Sequence, residues 1–297
     1  MIIIDALRQV KQQCVNFVFM HLPKMMTDKQ YLSVLYRYIM SQEMNWDNPK
    51  SFNEKLQWLK VYDRNPEYST MVDKYAVKKY VADRIGVEYI IPIFGVWKSF
   101  DDIDFSTLPD QFVLKCTHDS GGYVICRDKS SFDIESARKK ITHNLKRNFY
   151  YVSREWPYKK VKPRVMAEKF MVDSKSPFLT DYKFFCFDGE PKIMYCSKDG
   201  STETKTDFFD MDYNHLDMRM KDPNDDVVPP KPVCFDEMKK LAGQLSKGIP
   251  HVRVDFYEID GKVYFGEFTF YHNGGWSPVY PSSMGLTMGD WIHLPKK

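Results

Sequence analysis

The 297-residue sequence lacks the cysteine and histidine patterns of disulfide-framed and zinc-binding proteins. Its six cysteines are scattered and form no C-x-x-C pair, and its seven histidines show no metal-ligand spacing. Scattered cysteines of this kind are typical of free thiols in a reducing compartment. The sequence therefore predicts a cytoplasmic protein and argues against a small disulfide scaffold.

An excess of charge and a long apolar run are lacking as well. The net charge is +3, from 43 basic and 40 acidic residues, so the overall charge gives no reason to expect nucleic acid as a partner. Near the N-terminus, an apolar run such as residues 17–20 is too short to span a bilayer. What the sequence does have is 43% hydrophobic and 15% aromatic residues, which is ample for a sizeable folded core.

The first 22 residues carry an apolar stripe at helical spacing. Ile3, Leu7, Val10, Cys14 and Phe17 lie on it, and the pattern predicts a helix. A helix that docks on its own domain is the favoured interpretation. The alternative is that residues 1–22 contact a partner or lie on the membrane surface, since an apolar terminal helix can do either.

Beyond this segment the pattern changes from helical to strand-like. Residues up to about 70 show helical periodicity, and residues 75–85 form a further predicted helix that ends at Gly86, followed by a short apolar strand ending at Pro92. Helices are also predicted at 133–150 and 234–246, and residues 198–232 are predicted to be a loop. Strands are predicted at 93–97, 111–116, 122–126, 163–168, 181–187, 191–196, 251–258 and 262–270. Neighbouring strands with interrupting helices indicate an α+β fold with antiparallel sheets.

A glycine-tipped hairpin lies at KCTHDSGGYVICRDK, residues 115–129. It is not a Walker loop, because its glycines lead into a strand and not into a helix. Glycines allow backbone N–H groups to approach phosphate oxygens, and Lys115 enters the turn from the preceding strand. One interpretation is a mobile phosphate-binding lid at 117–122. The other is a plain hairpin whose glycines supply positive φ angles.

Acidic residues mark a second hairpin, HVRVDFYEIDGKVYFGEFTF, residues 251–270. A three-residue loop at 259–261 would place Arg253 opposite Glu267, with Asp255 as the diagonal neighbour on the same face. Carboxylates on adjacent strands, without histidine or cysteine, suit Mg²⁺. The alternative is a surface ion pair between Arg253 and Glu267.

Taken in order, four stretches resemble the ATP-grasp enzymes. They are Asp73-Lys74 at the head of a helix, QFVLKCTHDSGGYVI, the hinge-like VMAEKFM at residues 165–171, and the paired strands VRVDFY and YFGEFTF. The sequence is similar in particular to the TupA-like branch, through SFNEKLQWLKVYDRNPEYSTMVDKYAVKKYV, KCTHDSGG and TDYKFFCFDGEPKIM. That branch is named for teichuronopeptide synthesis and is common in surface-polysaccharide gene sets.

The resemblance implies an ATP-grasp fold, in which two α+β subdomains with antiparallel sheets hold ATP between them. It divides the chain into a helical N-terminal region (1–72), a small lid subdomain with its leading helix (73–170) and a large metal-binding subdomain (171–297). The implied cofactors are ATP and Mg²⁺. One departure from the family pattern is Glu267-Phe268-Thr269, where many members have Glu-x-Asn, and Asn273 could replace that amide ligand.

Site residues follow from the resemblance in three groups. Lys74 and Arg253 are implied to be catalytic, by opposing charge on the phosphates and the acyl phosphate. The implied ATP-binding residues are Lys115, Ser120, Gly121, Gly122, Glu168, Lys169, Met171, Asp181 and Lys183. The implied metal ligands are Asp255, Glu267, Thr269 and Asn273. Asp181 and Lys183 have the alternative of a simple cross-strand pair.

The implied activity is ligation of a carboxylate and an amine through an acyl phosphate. Expected substrates are small molecules, such as a sugar acid and an amino acid or amino sugar, with a lipid-linked or nucleotide-linked sugar as another form. An ATP-grasp kinase that phosphorylates a hydroxyl would share the same ATP site. A glycosyltransferase is a further alternative, against which the absence of a predicted βαβ pattern counts.

Overall fold

The computed structural model describes residues 25–176, 178–198 and 204–296. The helix predicted within residues 1–22, and the membrane or partner contact predicted for it, lie outside the described residues. Among the helices that are described, none is long and apolar enough to cross a membrane.

The described chain begins with four helices: α1 (Asp28–Met40), α2 (Phe52–Tyr62), α3 (Tyr68–Val72) and α4 (Ala76–Ile85). Capping boxes begin α1 and α2, because the hydroxyls of Thr27 and Ser51 each accept the N–H of the residue three positions later, whose side chain returns to the cap. At its C-terminus α4 ends at Gly86, where φ is 118°, a value that favours glycine. The helices predicted here are therefore confirmed.

The first sheet has four antiparallel strands in the order β1-β4-β2-β3. They are β1 (Ile93–Trp97), β2 (Phe112–Cys116), β3 (Tyr123–Cys126) and β4 (Val165–Lys169). The helix α5 (Ile134–Leu145) covers one face, where Ala137 and Ile141 meet Phe112 and Leu114 in a small hydrophobic core. The short helix α6 (Tyr150–Ser153) and a 3₁₀ turn (Trp156–Lys160) connect α5 to β4.

The second sheet has six antiparallel strands in the order β10-β9-β5-β6-β7-β8. They are β5 (Thr180–Phe187), β6 (Glu190–Lys198), β7 (Asp207–Asp210), β8 (His215–Leu216), β9 (Val252–Ile259) and β10 (Lys262–Thr269). Two further helices pack with it, α7 (Phe235–Ser246) and α8 (Ser282–Trp291). This larger core also contains the apolar faces of α1 to α4, including Val77 and Val81 of α4. The predicted subdomain boundaries at 72/73 and 170/171 stay predictions. The helix α4, predicted to lead the small subdomain, packs in the larger core.

The eight strands predicted from residue 93 onwards all form, and their ends differ from prediction by at most two residues. The short strand predicted before Pro92 is wrong. Val87–Tyr89 forms a 3₁₀ turn there, because Gly86 redirects the chain and Pro92 offers no N–H to a sheet. The helix predicted at 133–150 breaks after α5, where the Asn148 side chain accepts the Tyr150 N–H and begins α6.

Three elements were not predicted. The loop predicted at 198–232 contains β7 and β8, which extend the large sheet because Phe208 and Phe209 are buried in its core. The helix α8 contains Gly285 and Gly289, which weaken its helical signal. Gly289 allows α8 to pack against the start of α2, since a Cβ at this position would lie 2.0 Å from the Lys50 carbonyl oxygen.

The β9–β10 hairpin has a different register from the predicted one. Lys262 pairs with Ile259, so the turn is Asp260-Gly261, with φ angles of 50° and 73°, as in a two-residue type I′ turn. The prediction of a three-residue loop at 259–261 is therefore wrong. Arg253 pairs with Thr269, and not with Glu267 as predicted.

A β-bulge in β10 nevertheless places the two acids on one face. Phe265 pairs with Phe256 and Phe268 pairs with Val254, so one extra residue stands at Gly266-Glu267, opposite Asp255. Glycine suits this bulge because a Cβ at Gly266 would lie 3.1 Å from the Asp255 carbonyl oxygen. The bulge moves Glu267 to the face of Asp255.

Candidate active site

A cleft of about 380 Å³ opens between the two sheets. Its walls come from β2, β3 and β4 on one side and from β5, β9 and β10 on the other. The structure brings most of the predicted site residues to this cleft: Lys74, Lys115, Ser120, Gly121, Gly122, Glu168, Lys169, Met171, Asp181, Lys183, Asp255 and Glu267. Arg253, Thr269 and Asn273 do not belong to its lining. The roles assigned to these residues stay predictions.

Glu168 of β4 is held between two lysines. Lys115 Nζ lies 2.6 Å from Glu168 Oε2, and Lys78 Nζ pairs with the other carboxylate oxygen. Burial raises the pKa of Glu168, but the two lysines outweigh burial and lower the pKa to about 2. The carboxylate is therefore ionised. If Glu168 contacts adenine, it does so while it is paired with both lysines. Sequence reasoning missed Lys78, although it follows Lys74 by four residues, one helical turn along the chain.

Apolar side chains line the same cleft, and they are Ile91, Val113, Met171, Leu179 and Phe265. Val113 of β2 lies across the ladder from Glu168. The Lys169 N–H already donates to the Pro92 carbonyl at 2.9 Å, so the sheet uses that backbone donor. An apolar wall with a few polar groups is the usual composition of a small-molecule site.

The glycine loop at 117–122 is anchored in its first half. Thr117, His118 and Asp119 are buried. The Lys74 N–H donates to the Thr117 carbonyl, and Lys74 Nζ to the Asp119 carbonyl, both at 2.9 Å. Only Ser120 and Gly121 are exposed. Residues 117–119 are thus anchored and the exposed part of the loop is its tip, while the mobile lid predicted at 117–122 stays a prediction.

Asp255 of β9 lies at the foot of the cleft among cations. Arg253 donates to both of its oxygens, from Nε at 2.7 Å and from Nη2 at 2.6 Å. Lys183 Nζ lies 3.2 Å from Asp255 Oδ2 and 2.9 Å from Asp181 Oδ2. The pairing considered for Asp181 and Lys183 is thus present, but it runs along one strand, β5, and the cross-strand partner of Lys183 is Asp255.

Glu267 is the more accessible of the two acids, with 43% of its side chain exposed against 1% for Asp255. Lys74 Nζ lies 3.5 Å from one of its oxygens, and Arg253 Nη2 lies 3.6 Å from the other. Burial raises the pKa of Glu267, but Lys74, Arg253 and Lys183 together lower it to about 2. Glu267 thus presents an ionised carboxylate to the open cleft, without a short ion pair.

Arg253 lies behind Asp255 and not on the cleft wall. Its Nη1 lies 2.6 Å from His272 Nδ1, and its Nη2 donates to Thr269 Oγ1 at 3.0 Å. Burial, with Arg253 beside it, keeps the pKa of His272 well below the ordinary value, so a neutral ring nitrogen can accept this bond. Arg253 therefore fixes the orientation of Asp255, and the Thr269 hydroxyl, which accepts from Arg253, donates to Glu267 Oε1 at 3.4 Å.

The loop that follows β10, residues 272–277, is held by one face of α2. Three side chains of α2 donate hydrogen bonds of 2.6–3.1 Å to its carbonyls, and these are Asn53, Gln57 and Lys60. Lys60 is fully buried and donates a second bond, of 2.9 Å, to the Ser153 carbonyl. Sequence reasoning missed these residues, whose only signal is a polar stripe on an otherwise apolar helix.

Asn273 belongs to this loop. Its side-chain nitrogen lies 3.1 Å from His272 Nε2, and its φ angle is 49°. The structure therefore places the Asn273 amide against His272 and outside the lining of the cleft. A metal ligand would have to be part of that lining.

The sequence profile of the TupA-like ATP-grasp family matches residues 54–293. The chain belongs to the TupA-like ATP-grasp family. Its two antiparallel sheets around a charged cleft are the fold that the resemblance implied, and the expected α+β ATP-grasp architecture is confirmed.

Several solved ligases are similar to this TupA-like ATP-grasp chain. D-alanine–D-alanine ligase from Helicobacter pylori shares 13% identity at a TM-score of 0.46, over 77% of this chain and 60% of that one. The Bacillus anthracis enzyme shares 16% at 0.38, over 75% and 60%. L-amino acid ligase from Bacillus licheniformis shares 12% at 0.44, over 84% and 55%. The chain thus spans less than two thirds of the length of these structures. No curated protein matches it.

Mg²⁺ would meet two suitable carboxylates in this TupA-like cleft. Glu267 is ionised and open to the cleft, whereas both Asp255 oxygens already accept hydrogen bonds from Arg253. No group of three or more histidine, cysteine or acidic side chains in the described part of the chain could hold a metal ion alone. Mg²⁺ commonly takes one or two carboxylates and completes its shell with phosphate and water. Glu267 and Asp255 fit that pattern.

Two Asp-x-Asp triplets occur in the chain, Asp102-Ile103-Asp104 and Asp210-Met211-Asp212. Nucleotide-sugar enzymes can use such a triplet, but neither triplet lines the cleft. Asp104 caps a 3₁₀ turn by accepting the Ser106 N–H, and Asp210 accepts N–H groups of the turn between β7 and β8. Local turn formation accounts for both.

Proposed function

We propose that this protein is an ATP-dependent carboxylate–amine ligase that acts through an acyl phosphate. The observation that supports this most is a single cleft of an ATP-grasp chain in which Lys74, Lys115 and Lys183 converge with Asp255 and Glu267. Cations and carboxylates facing each other between two sheets suit a nucleotide whose phosphates need both direct and metal-mediated neutralisation.

In the first proposed step, a carboxylate oxygen of one substrate attacks the γ-phosphorus of ATP. The bond from that phosphorus to its bridging oxygen breaks, and ADP leaves with the electron pair. In the second step, an amine attacks the acyl carbon, loses a proton and displaces inorganic phosphate, which leaves an amide. Negative charge builds up on phosphate oxygens in both steps, so correctly placed cations lower both barriers.

Each residue of the cleft has a proposed part in this chemistry. Lys74 and Lys115 oppose the phosphate charge, and Glu168 orients Lys115 through their 2.6 Å ion pair. Arg253 and Lys183 orient Asp255. Asp255 and Glu267 would hold Mg²⁺, which supplies further neutralisation of the phosphates when bound.

The proposed substrates are a sugar acid, such as a uronate, and an amino acid or amino sugar. The resemblance to proteins of surface-polysaccharide synthesis supports this choice. A lipid-linked or nucleotide-linked sugar would supply either group, and the proposed setting is the cytoplasm.

The test incubates the protein with Mg·ATP and candidate acid–amine pairs, and follows nucleotides and product masses. ADP together with an amide supports the proposal. Hydroxylamine in place of the amine should trap the acyl phosphate as a hydroxamate. ADP with a phosphorylated alcohol would favour a kinase, and UDP released from a UDP-sugar would favour a glycosyltransferase. Absence of ATP binding at millimolar nucleotide would overturn all ATP-dependent readings.

A further inference from the structure

A strongly basic surface lies beside the cleft, and the proposed ligase chemistry leaves it unused. Residues 146–164 contain seven basic residues and one acidic residue, Glu155. Glu155 is buried, so it does not offset charge at the surface. Five of the cations are exposed: Lys146, Arg147, Lys159, Lys160 and Lys162. We call these five the basic surface.

The described part of the chain places no ion-paired carboxylate on the basic surface. Arg154 and Arg164, which complete the seven, pair with Asp28 and Asp73 at 3.1 Å and 2.5 Å. Within residues 25–176, 178–198 and 204–296, none of the five exposed cations has an ion pair. Five like charges left uncompensated on one surface repel each other, and an anionic partner would relieve that repulsion.

Two exposed apolar side chains stand among these cations. Tyr151 is 38% exposed and Val152 is 51% exposed, both on the short helix α6. The two stretches that carry the cations are in contact, since Asn148 donates to the Lys159 carbonyl at 3.1 Å and the rings of Phe149 and Tyr158 lie 4.9 Å apart. Tyrosine and an aliphatic residue among lysines form the composition that inserts at a lipid headgroup interface.

This surface is also linked directly to the glycine loop. His118 Nε2 lies 3.1 Å from the Arg147 carbonyl oxygen, and the Thr117 N–H donates to the Arg164 carbonyl at 2.9 Å. The segment that carries the basic surface therefore adjoins Thr117 and His118, at the start of the glycine loop.

We propose that the basic surface, with Tyr151 and Val152, docks this protein on an anionic membrane. The cations attract the negative headgroups, and the two apolar side chains enter the interface between them. Docking in this way holds the cleft at the membrane surface, with the glycine loop close to the lipid. A soluble polyanion would match the charge equally, but it gives no role to Tyr151 and Val152.

The test measures flotation of the full-length protein with vesicles of phosphatidylcholine, with and without phosphatidylglycerol. The main variant is Lys159→Glu/Lys160→Glu/Lys162→Glu. Its matched control is Lys240→Glu/Lys247→Glu/Lys262→Glu, which changes three exposed lysines of the large-sheet side and gives the same net charge. A second variant, Tyr151→Ser/Val152→Ser, removes the apolar contribution. Thermal melts and calorimetry with Mg·ATP verify that each variant is folded.

We expect binding to anionic vesicles and none to neutral vesicles, with weakening at high salt. A cation near an anionic surface contributes about fivefold in affinity, so the main variant should lose at least about a hundredfold. The control should stay near wild type, and the serine variant should bind more weakly at every salt concentration. Equal losses in the main variant and the control would overturn the proposal, as would membrane binding that neither variant of the basic surface affects. Binding of a soluble polyphosphate that is unchanged by Tyr151→Ser/Val152→Ser, without vesicle binding, would assign the surface to a soluble polyanion instead.

Discussion

Three acidic side chains of the cleft, Glu168, Asp255 and Glu267, are each neutralised by at least one cation. Glu168 lies between Lys115 and Lys78, Asp255 accepts both arms of the Arg253 guanidinium, and Glu267 lies within 3.6 Å of two cations. These carboxylates differ mainly in access, because only Glu267 is open to the cleft. Exposure to the cleft, more than charge, therefore distinguishes these carboxylates. A buried carboxylate orients its neighbours, whereas an exposed one can bind a ligand.

Replacing Glu267 tests this distinction. Glu267→Gln keeps the shape of the side chain but removes the charge that would hold Mg²⁺. We expect ADP release to fall at least about a hundredfold, or ~2.7 kcal/mol, and ATP binding to lose its dependence on Mg²⁺. Because Glu267 is half-exposed, we expect its loss to change the free energy of unfolding by at most about 1 kcal/mol. Steady-state kinetics, calorimetry and thermal melts measure the three quantities.

The matched control is Glu190→Gln, which removes an exposed strand glutamate that pairs with Lys192 away from the cleft. This change should leave ADP release near wild type. If Glu267→Gln also kept near-wild-type turnover and Mg²⁺ dependence, the assignment of Glu267 to the metal would be wrong.

Glu168 gives a prediction about pH. Its pKa in the folded protein is about 2, below the ordinary 4.5, so the unfolded chain binds the proton more tightly. Its stabilising effect is therefore complete above about pH 4.5 and disappears as the pH falls towards 2. One pKa unit corresponds to about 1.4 kcal/mol, so the contribution is on the order of 3 kcal/mol.

Urea unfolding between pH 3 and 7 should show this difference, where the pH values bracket the ordinary carboxylate range. Wild type should lose stability more steeply on acidification than Glu168→Gln, whose amide does not titrate. Parallel stability curves for the two proteins would show that the ion pairs of Glu168 contribute nothing net to folding.

Among the elements, the bulge in β10 decides whether the site exists. Without the extra residue at Gly266-Glu267, the two-residue turn would place Val254, and not Asp255, opposite Glu267. Two acids on adjacent strands would then face opposite sides of the sheet. A single inserted residue thus has a larger effect on the chemistry than any one hydrogen bond of the hairpin.

Gly266→Ala tests the role of the bulge. The added methyl group would meet the Asp255 carbonyl oxygen at 3.1 Å, so the strands must shift at the bulge. We expect a loss of about 1–3 kcal/mol in the free energy of unfolding and a larger relative loss of turnover, since Asp255 and Glu267 move apart. Denaturant titration and ADP release measure the two effects.

Gly285→Ala serves as the control for this change. The new methyl group would only touch Val279, at 3.4 Å, and alanine favours the helix by up to about 1 kcal/mol. Stability should hold or rise. A Gly266→Ala protein that behaves like this control would show that the bulge tolerates a side chain.

The strands could be predicted from sequence because their apolar residues alternate with period two. The bulge has a sequence signal too, which the prediction of a three-residue loop did not take into account. Along β10, the buried side chains lie at odd-numbered positions as far as Phe265 and at even-numbered positions from Phe268. An inserted residue produces this change from odd to even numbers. By contrast, β7 and β8 could not be predicted, since strands of four and two residues are too short to show a clear period.

At the scale of the whole molecule, the cleft separates two independent hydrophobic cores. Most of the predicted residues that line it lie within short contiguous motifs, so pattern and resemblance could find them. The residues that support it were not found. Gln57 bonds to the carbonyl of Gly274, 217 positions away, and a carbonyl has no residue identity, so no sequence pattern marks such a pair.

Nucleotide binding should change the dynamics of only part of the glycine loop. With Mg·ATP we expect slower hydrogen exchange at residues 120–123, where the exposed tip would close on phosphates. Peptides that cover 117–119 should change little, because those residues are already buried and bonded. Exchange followed by mass spectrometry, with Mg·AMP as the control that lacks the γ-phosphate, distinguishes the two segments. Uniform protection across 117–123 would mean that the loop closes as one unit, and unchanged exchange at 120–123 would mean that it is no lid.

The hydrogen bonds from α2 to residues 272–277 affect how this protein can be engineered. A fragment that starts at Asp73 would contain every residue that lines the cleft. Judged by the lining alone, this fragment would be expected to keep the site intact. In such a fragment the Gly274 and Gly275 carbonyls would lose the donors that Gln57 and Lys60 provide, and the backbone beyond β10 would be free to rearrange. Any chimera or permutant built on this scaffold therefore has to include α2 together with the cleft, so a helix that does not line the cleft sets the size of the smallest transferable unit.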